Sequence, residues 1–354
     1  METTLLVAAL GYCKGSLLNV DLVPALTHFF FENEYVLAYN DTTAVIAPLE
    51  HGVTCGLQGD TLLQLLPTLG KVCSFSQLDV DKEVVLKSGK VKITLPALDP
   101  DATLFVSPIM EHSSAFYLTQ EMAQGLERCC ETVSDNAVLR HLSAVEIQVD
   151  KSGQLECFSS NDVSLTQFST LAKWKVKQPA PTTYMVLGSS IRQLLALCNA
   201  VSPKKDPIIF LNADWLCANI DEVIFYARMV KDATAPDYRD IIDKKAPTLQ
   251  RKVPEGFLAA LTRAKVLTSK DLTPKVELDV TDTQLVVSAV GTLGSFTDSF
   301  SRPKDFPMVK VWLKPEPLAA AAENINTLFG IGVEAVSFGT EGLLRLVSAA
   351  KVKE

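Results

Sequence analysis

Hydrophobic and polar positions alternate with a period of two in three long stretches of the chain. These are HFFFENEYVLAYNDTTAVIAPLE from His28, VEIQVDKSGQLECFSSNDVSLTQFSTL from Val145 and VELDVTDTQLVVSAVGTLGSFTDSFSR from Val276. In each, Asn, Asp, Ser and Gly punctuate runs of Val, Ile, Leu and Phe, the composition of an antiparallel meander. Pro207–Leu211, Trp215–Ile220 and Val223–Val230 predict three further strands, broken by Asn212-Ala213-Asp214 and Asp221-Glu222. Val84–Leu98 and Val333–Val347 have the same character.

The period changes to that of a helix between these stretches. In YLTQEMAQGLERCCETV, Leu118, Met122, Leu126, Cys129 and Val133 recur at helical spacing. Helices are predicted ahead of the three meanders, at Thr4–Gly15, Tyr117–Val133 and Pro254–Thr268. Three more follow them, at Gly59–Leu66, Ser189–Ala200 and Glu316–Phe329, with Asp60 or Thr61, Ser189 and Pro315 marking their starts. Meanders and helix starts thus repeat at about a third of the 354 residues. Repeats this long are tandem domains rather than a solenoid. The predicted fold class is α+β. Three domains, 1–110, 111–245 and 246–354, each hold two β-α-β-β-β units, with borders at the polar or Pro-bearing stretches 107–114 and 243–249.

Lys231–Ile242 fits neither period. It is polar at one end and apolar at the other, which marks it as a place where a sheet edge meets something else.

Composition narrows the class. With 47% hydrophobic and 21% charged residues the chain buries sizeable cores. A net charge of −8 excludes a uniformly basic nucleic-acid coat and leaves room for one local basic surface. Eight scattered cysteines without C-x-x-C spacing read as free thiols of a reducing cytosol. The apolar run Leu5–Leu10 has no basic flank and is too short for a membrane span. A soluble, cytoplasmic protein is expected.

Catalytic chemistry is not indicated. His28, His51, His112 and His141 stand in separate contexts, none with a Cys, Ser or carboxylate at catalytic spacing. The Gly-bearing 291–294 and 330–332 lack the Lys-Ser/Thr helix of a phosphate loop and read as turns. Asp99 and Asp101 flank Pro100 in another turn. No enzyme activity, cofactor or metal is expected.

Three segments carry a family resemblance: APDYRDII (235–242), GVTCGLQGDTLLQLLPTLG (52–70) and LKSGKVKITLPAL (86–98). Together with the three-fold repeat they resemble the bacterial β-type DNA sliding clamp, the DNA polymerase III beta subunit, here as a diverged, bacteriophage-type member. Two departures accompany the likeness. The family opens with a strand where Thr4 begins a helix, and it ends in a hydrophobic tail where Ala349–Glu354 is charged.

The resemblance implies a processivity factor: a closed homodimeric ring with helices inside and sheets outside, encircling duplex DNA. Contacts confined to phosphate would let such a ring slide. The basic residues in or just after the predicted helices are the DNA-facing candidates: Lys14, Arg128, Arg192, Lys204, Lys205, Arg263, Lys265 and Lys270. Polymerase and clamp-loader motifs would dock between domains two and three, on an apolar groove of Leu165, Pro236, Ile241 and Leu343. On its rim Asp240, Val163 and Ser164 occupy positions of a family arginine, histidine and arginine, which implies altered partner choice. A viral scaffolding protein built from α+β repeats is the competing class.

Overall fold

The computed structural model describes residues 1–349 apart from 21–22, 79–82, 112, 135–137, 151, 177–181, 232 and 326. Six consecutive β-α-β-β-β units account for nearly all of the secondary structure. In the first, Glu2 makes an isolated antiparallel bridge with Val72, and helix α1 (Thr3–Cys13) leads to β1 (His28–Glu32), β2 (Tyr35–Tyr39) and β3 (Thr43–Pro48). The second runs β4 (Cys55–Gln58), α2 (Gly59–Leu65), β5 (Ser74–Leu78), β6 (Glu83–Ser88) and β7 (Val91–Leu98). The third holds β8 (Ser114–Tyr117), α3 (Gln120–Cys130), β9 (Ala144–Val149), β10 (Gln154–Ser160) and β11 (Ser164–Leu171).

In the fourth, β12 (Trp174–Val176) and β13 (Thr182–Leu187) precede α4 (Gly188–Val201), β14 (Ile208–Leu211), β15 (Trp215–Ile220) and β16 (Val223–Arg228). A separate helix α5 (Tyr238–Lys245) follows. The fifth comprises β17 (Arg251–Lys252), α6 (Phe257–Leu267), β18 (Val276–Val280), β19 (Gln284–Gly291) and β20 (Gly294–Ser301). The sixth closes with β21 (Val309–Leu313), α7 (Pro315–Asn324), β22 (Leu328–Ile331), β23 (Ala335–Thr340) and β24 (Leu343–Ser348).

The α+β class and the six-unit plan agree with the sequence pattern, and three details differ. Helix α3 starts at Gln120 because Ser114–Tyr117 is drawn into a ladder with β14; Thr119 Oγ1 then accepts from the Met122 N–H at 3.3 Å. Helix α7 stops at Asn324, where the alanine run ends, and Leu328–Ile331 is a strand. The opening strand shrinks to the Glu2 bridge, held by the Thr3 N–H donating to Lys71 O and the Cys73 N–H donating to Met1 O.

The first strand of each unit crosses to its neighbour. β4 pairs with β1, while Glu2 faces Val72 just ahead of β5. β8 pairs with β14 and β13 with β9. β17 pairs with β22 and β21 with β18. Consecutive units are thus tied two by two through exchanged strands.

Backbone contacts divide the chain into two compact bodies. The first holds 1–123, 172–180 and 189–229; the second holds 124–171, 181–188 and 230–354. The first contains a twelve-stranded sheet, β12-β8-β14-β15-β16-β3-β2-β1-β4-β7-β6-β5, continuous through the β16–β3 ladder. Leu6, Ala9, Leu10 and Cys13 form the buried stripe of α1 against it. Gln193 of α4 donates to Ser16 Oγ at 2.8 Å and accepts from Thr43 Oγ1 at 3.0 Å, so a polar contact at the end of α1 is fully paired.

The second body contains an eight-stranded sheet, β13-β9-β10-β11-β24-β23-β22-β17, and a four-stranded one, β20-β19-β18-β21. Phe257, Phe306, Phe329 and Phe338 are completely buried in a core with Leu261 and Leu318. Each such phenylalanine contributes about 2 kcal/mol through burial alone. No helix among the described residues is long and apolar enough to cross a membrane.

All eight cysteines are free thiols; Cys198 is partly exposed and the others are buried. Burial pushes Cys55 and Cys198 up to about 11 and Cys217 to about 12. Thiolates attack and thiols do not, so the native protein should react slowly with iodoacetamide at neutral pH. Mass spectrometry of a time course should find Cys198 alkylated first and Cys13, Cys129 and Cys157 only on unfolding. Early modification of those three would contradict the packing described.

Candidate functional site

Residues 233–252, with Val230 ahead of them, cross one face of the eight-stranded sheet as a strap fastened at both ends. The Val230 N–H donates to Met185 O on β13 at 2.8 Å, and at the far end Arg251 and Lys252 pair with Phe329 and Leu328. Helix α5 lies between. Asp237 caps it by accepting from the Asp240 N–H at 3.0 Å, Lys244 and Lys245 fill its last turn, and Lys244 pairs with Asp240 at 2.7 Å. Tyr238 stacks on Phe158 with ring centres 5.7 Å apart, and Arg239 Nε donates to Glu156 at 2.7 Å. The strap then runs so close over β22 that a Cβ at Gly330 would stand 2.8 Å from Leu249 O.

Under the strap lies an apolar cluster of Phe158, Leu165, Tyr238 and Leu346, flanked by half-buried Ala235, Ile241, Ile242 and Ala246. Of the predicted groove residues, Leu165 and Ile241 are therefore brought together. Leu165 is only 6% exposed, so half-buried Ile241 presents more surface. Pro236 is exposed in the turn before α5. Leu343 belongs elsewhere. Alternate residues of a strand face opposite ways, and Leu343 packs with the core around Phe257. Its strand neighbour Leu346, directly opposite Leu165 in the ladder, occupies the cluster instead. On the expected rim, Asp240 is exposed while Val163 packs against the Phe257 core and Ser164 is buried.

Sequence reading missed α5, whose eight residues carry too short an apolar pattern to show a period; the Asp237 cap was the available signal. It also missed Glu146 on β9, opposite Phe158 in register and only 6% exposed. Gln148 Nε2 donates to it at 2.5 Å. Burial raises the Glu146 pKa, with nearby Asp237 adding to the shift while Gln148 and Arg239 oppose it.

The basic candidates fall into two environments. In the first body Lys14, Arg192, Lys204 and Lys205 are exposed. Lys204 and Lys205 line a cleft of about 810 Å³ with Asn199, Gln120 and Lys173, whose ammonium lies 4.9 Å from the Tyr117 ring centre. Lys173 was not among the sequence candidates. In the second body Arg128 pairs with Glu131 at 2.6 Å, Arg263 with Asp298, and Lys265 with Glu316 at 3.4 Å. Lys270 is exposed in the turns after α6.

On the other face of the β11–β24 ladder a polar pair, Thr166 and Arg345, stands between buried Val347 and Phe168. Arg345, only 2% exposed, donates from Nε to Thr166 Oγ1 at 2.9 Å and from Nη2 to Arg128 O and Glu131 at 2.8 and 2.9 Å. Burial lowers its pKa and Glu131 opposes that. Thr132, Ser159 and Thr166 complete a buried hydroxyl network beside it.

Two of the four histidines sit against backbone carbonyls. His28 Nδ1 lies 2.6 Å from Pro24 O, and His51 Nε2 lies 3.0 Å from Tyr35 O while its ring packs edge-on to Phe31. His112 lies outside the described residues. Asp99 accepts from the Asp101 N–H at 2.9 Å, closing a turn. Among the described residues no three His, Cys, Asp or Glu side chains form a metal-binding group.

No protein-family model and no curated protein matches this sequence. Solved structures do. A putative DNA polymerase III beta subunit from Eubacterium rectale superposes with a TM-score of 0.87 at 11% identity, over 99% of this chain and 98% of the other. The DNA polymerase sliding clamp of Bacillus subtilis matches with a TM-score of 0.86 at 15% identity, over 100% and 98%. The Helicobacter pylori beta clamp, bound to a DNA ligase peptide, matches with a TM-score of 0.81 at 13% identity, over 99% of both chains. The chain has the beta-clamp fold of three repeated domains.

Glu146 supplies a pH test of the strap. Its folded-state pKa is raised, so the folded protein holds this proton to higher pH than the unfolded chain does. The resulting penalty is absent below the ordinary carboxylate range, grows as pH rises to the raised value, and is constant above it. Glu146→Gln should therefore raise the melting temperature at about pH 7 and leave it unchanged near about pH 4. Equal shifts at both values would show that Glu146 is not held in this way.

Proposed function

We propose that the chain is a DNA sliding clamp: a non-catalytic processivity factor that encircles duplex DNA and tethers a polymerase. The observation that carries this reading is the end-to-end likeness to beta clamps across six β-α-β-β-β units. In this reading the units pair into three domains, 1–110, 111–245 and 246–354, and two chains close head to tail into a ring acting in the cytoplasm. Ring closure needs sheet edges, and β5 and β20, five and eight residues long, each stand at the end of their sheet.

DNA would be held by phosphate contacts alone from Lys14, Arg128, Arg192, Lys204, Lys205, Arg263, Lys265 and Lys270. Arg128, Arg263 and Lys265 already face carboxylates, which concentrates the attraction on exposed Lys204 and Lys205. Weak attraction suffices for a protein retained by topology.

Polymerase and loader peptides would dock beside α5, with apolar anchors against Ile241, Leu165 and Leu346 and a turn along Pro236. The peptide held by the Helicobacter pylori clamp supports a peptide-receiving role for this fold.

Two outcomes test this reading. Protein loaded on nicked circular DNA should stay bound through a gel-filtration column and be lost once the circle is linearised; retention indifferent to topology would refute encirclement. Ile241→Asp should weaken a polymerase-derived peptide at least about tenfold in fluorescence anisotropy, while retention on circles is unchanged. Unaltered peptide affinity would move the docking site elsewhere.

A further inference from the structure

A groove of about 660 Å³ opens in the first body along helix α1, with the connections at 34, 48–50 and 222 on its other side. No part of the clamp reading uses it. We propose that this groove docks a segment of a partner protein, one that presents an aliphatic side chain flanked by Lys or Arg.

Helix α1 is the first reason. Among the described α-helices it alone carries no Asp, Glu, Lys or Arg. Its buried stripe of Leu6, Ala9, Leu10 and Cys13 already satisfies the sheet beneath it. The side turned away from that stripe is apolar as well, with Leu5 59% and Val7 45% exposed. A surface helix sets charge on its outer side, and one that is apolar all round is a covered helix. Leu5, Ala8 and Tyr12, spaced as i, i+3 and i+7, line the groove, and Pro48 and Leu49 stand opposite. A trough of this kind receives the anchor side chains of an amphipathic segment.

The rim is the second. Glu34 on the β1–β2 turn, Glu50 after β3 and Glu222 on the β15–β16 turn all line the groove, and all are exposed. Three separate connections thus bring a carboxylate to one place, and none of them pairs with a cation among the described residues. The single positive group of the lining, the Met1 amine, donates to Cys73 O at 3.0 Å. Lys71 meets the start of α1 through its carbonyl, which accepts from the Thr3 N–H at 2.9 Å, and it is not part of the lining.

The sign of the rim selects the occupant. Three carboxylates against one amine repel a phosphate backbone and attract a cationic segment. An Arg fork or a Lys ammonium would make charge-assisted hydrogen bonds at the rim while the aliphatic side chain between them covers Leu5. An uncharged apolar partner would strip water from the carboxylates and give nothing back.

The full chain should be panned with a random library of short peptides. The selected peptides should then be measured by fluorescence anisotropy on the wild type, Leu5→Ser, the Glu50→Lys/Glu222→Lys pair and a Glu323→Lys control. All four positions are exposed, and melting curves check folding. The expected peptides carry an aliphatic residue between Lys or Arg. They weaken at least about tenfold on both groove variants and are unchanged on Glu323→Lys and on Ile241→Asp, which keeps this groove apart from the surface beside α5. Selected peptides that are acidic or uncharged, or none that responds to the groove variants, would overturn the proposal. Sedimentation velocity covers the remaining occupant: self-association abolished by Leu5→Ser would show that a second copy of this chain covers α1, and the partner segment would be ruled out.

Discussion

Sheet edges are the constraint from which the rest of this molecule follows. Among the described residues every strand pair is antiparallel, and a β-α-β-β-β unit standing alone would leave bare edges on its three-stranded meander. Exchange of first strands covers one edge in each neighbour, as β8 does for β14 and β13 for β9. The ladders β16–β3 and β11–β24 then join meanders into longer sheets. No unit is self-sufficient. Strand exchange and sheet continuation make each depend on partners farther away in sequence than its own hairpins.

That dependence explains what could be read from the sequence. The meanders at His28, Val145 and Val276 announce themselves by period, and the six unit helices by period or by their starting residues, because one-sided burial and helix starts are both local patterns. The first strands do not. β17 is two residues long and the opening strand is a single bridge, so their identity lies in their partners rather than their own composition. Helix α5 was hidden for a related reason: with eight residues, its apolar positions Ile241 and Ile242 point at a cluster assembled from β10, β11 and β24. Leu165 and Ile241 could be named because a family motif carries them. Leu343 could not be told from Leu346, since choosing the face requires the register of β24.

The β11–β24 ladder is fixed on both faces by opposite kinds of chemistry. On one face Leu165 and Leu346 are sealed by the strap, an apolar contact insensitive to salt. On the other, Thr166 and Arg345 face each other in register and tie the ladder to the end of α3 through Arg128 O and Glu131. Burying a guanidinium is tolerated when its charge is met and its donors are used. The polar pair is also selective: a register slip of one residue would put Leu344 or Leu346 where Arg345 stands and leave Glu131 facing hydrocarbon. Leu165 and Leu346 contribute burial, and the Thr166–Arg345 pair specifies the register.

Charge placement bears on how such a molecule would hold DNA. A protein that binds a duplex by electrostatics alone gains affinity from each phosphate it neutralises, and loses it with salt in proportion. Here the chain is acidic overall, and Arg128, Arg263 and Lys265 already hold intramolecular carboxylates. Recruiting them would require breaking those pairs, so the net gain per phosphate is small. In the clamp reading an open, unlinked form of this chain would hold DNA only weakly. In the clamp reading, retention must come from closure of the ring rather than from affinity. The burden returns to the sheet edges, since β5 and β20 would have to hold the ring shut.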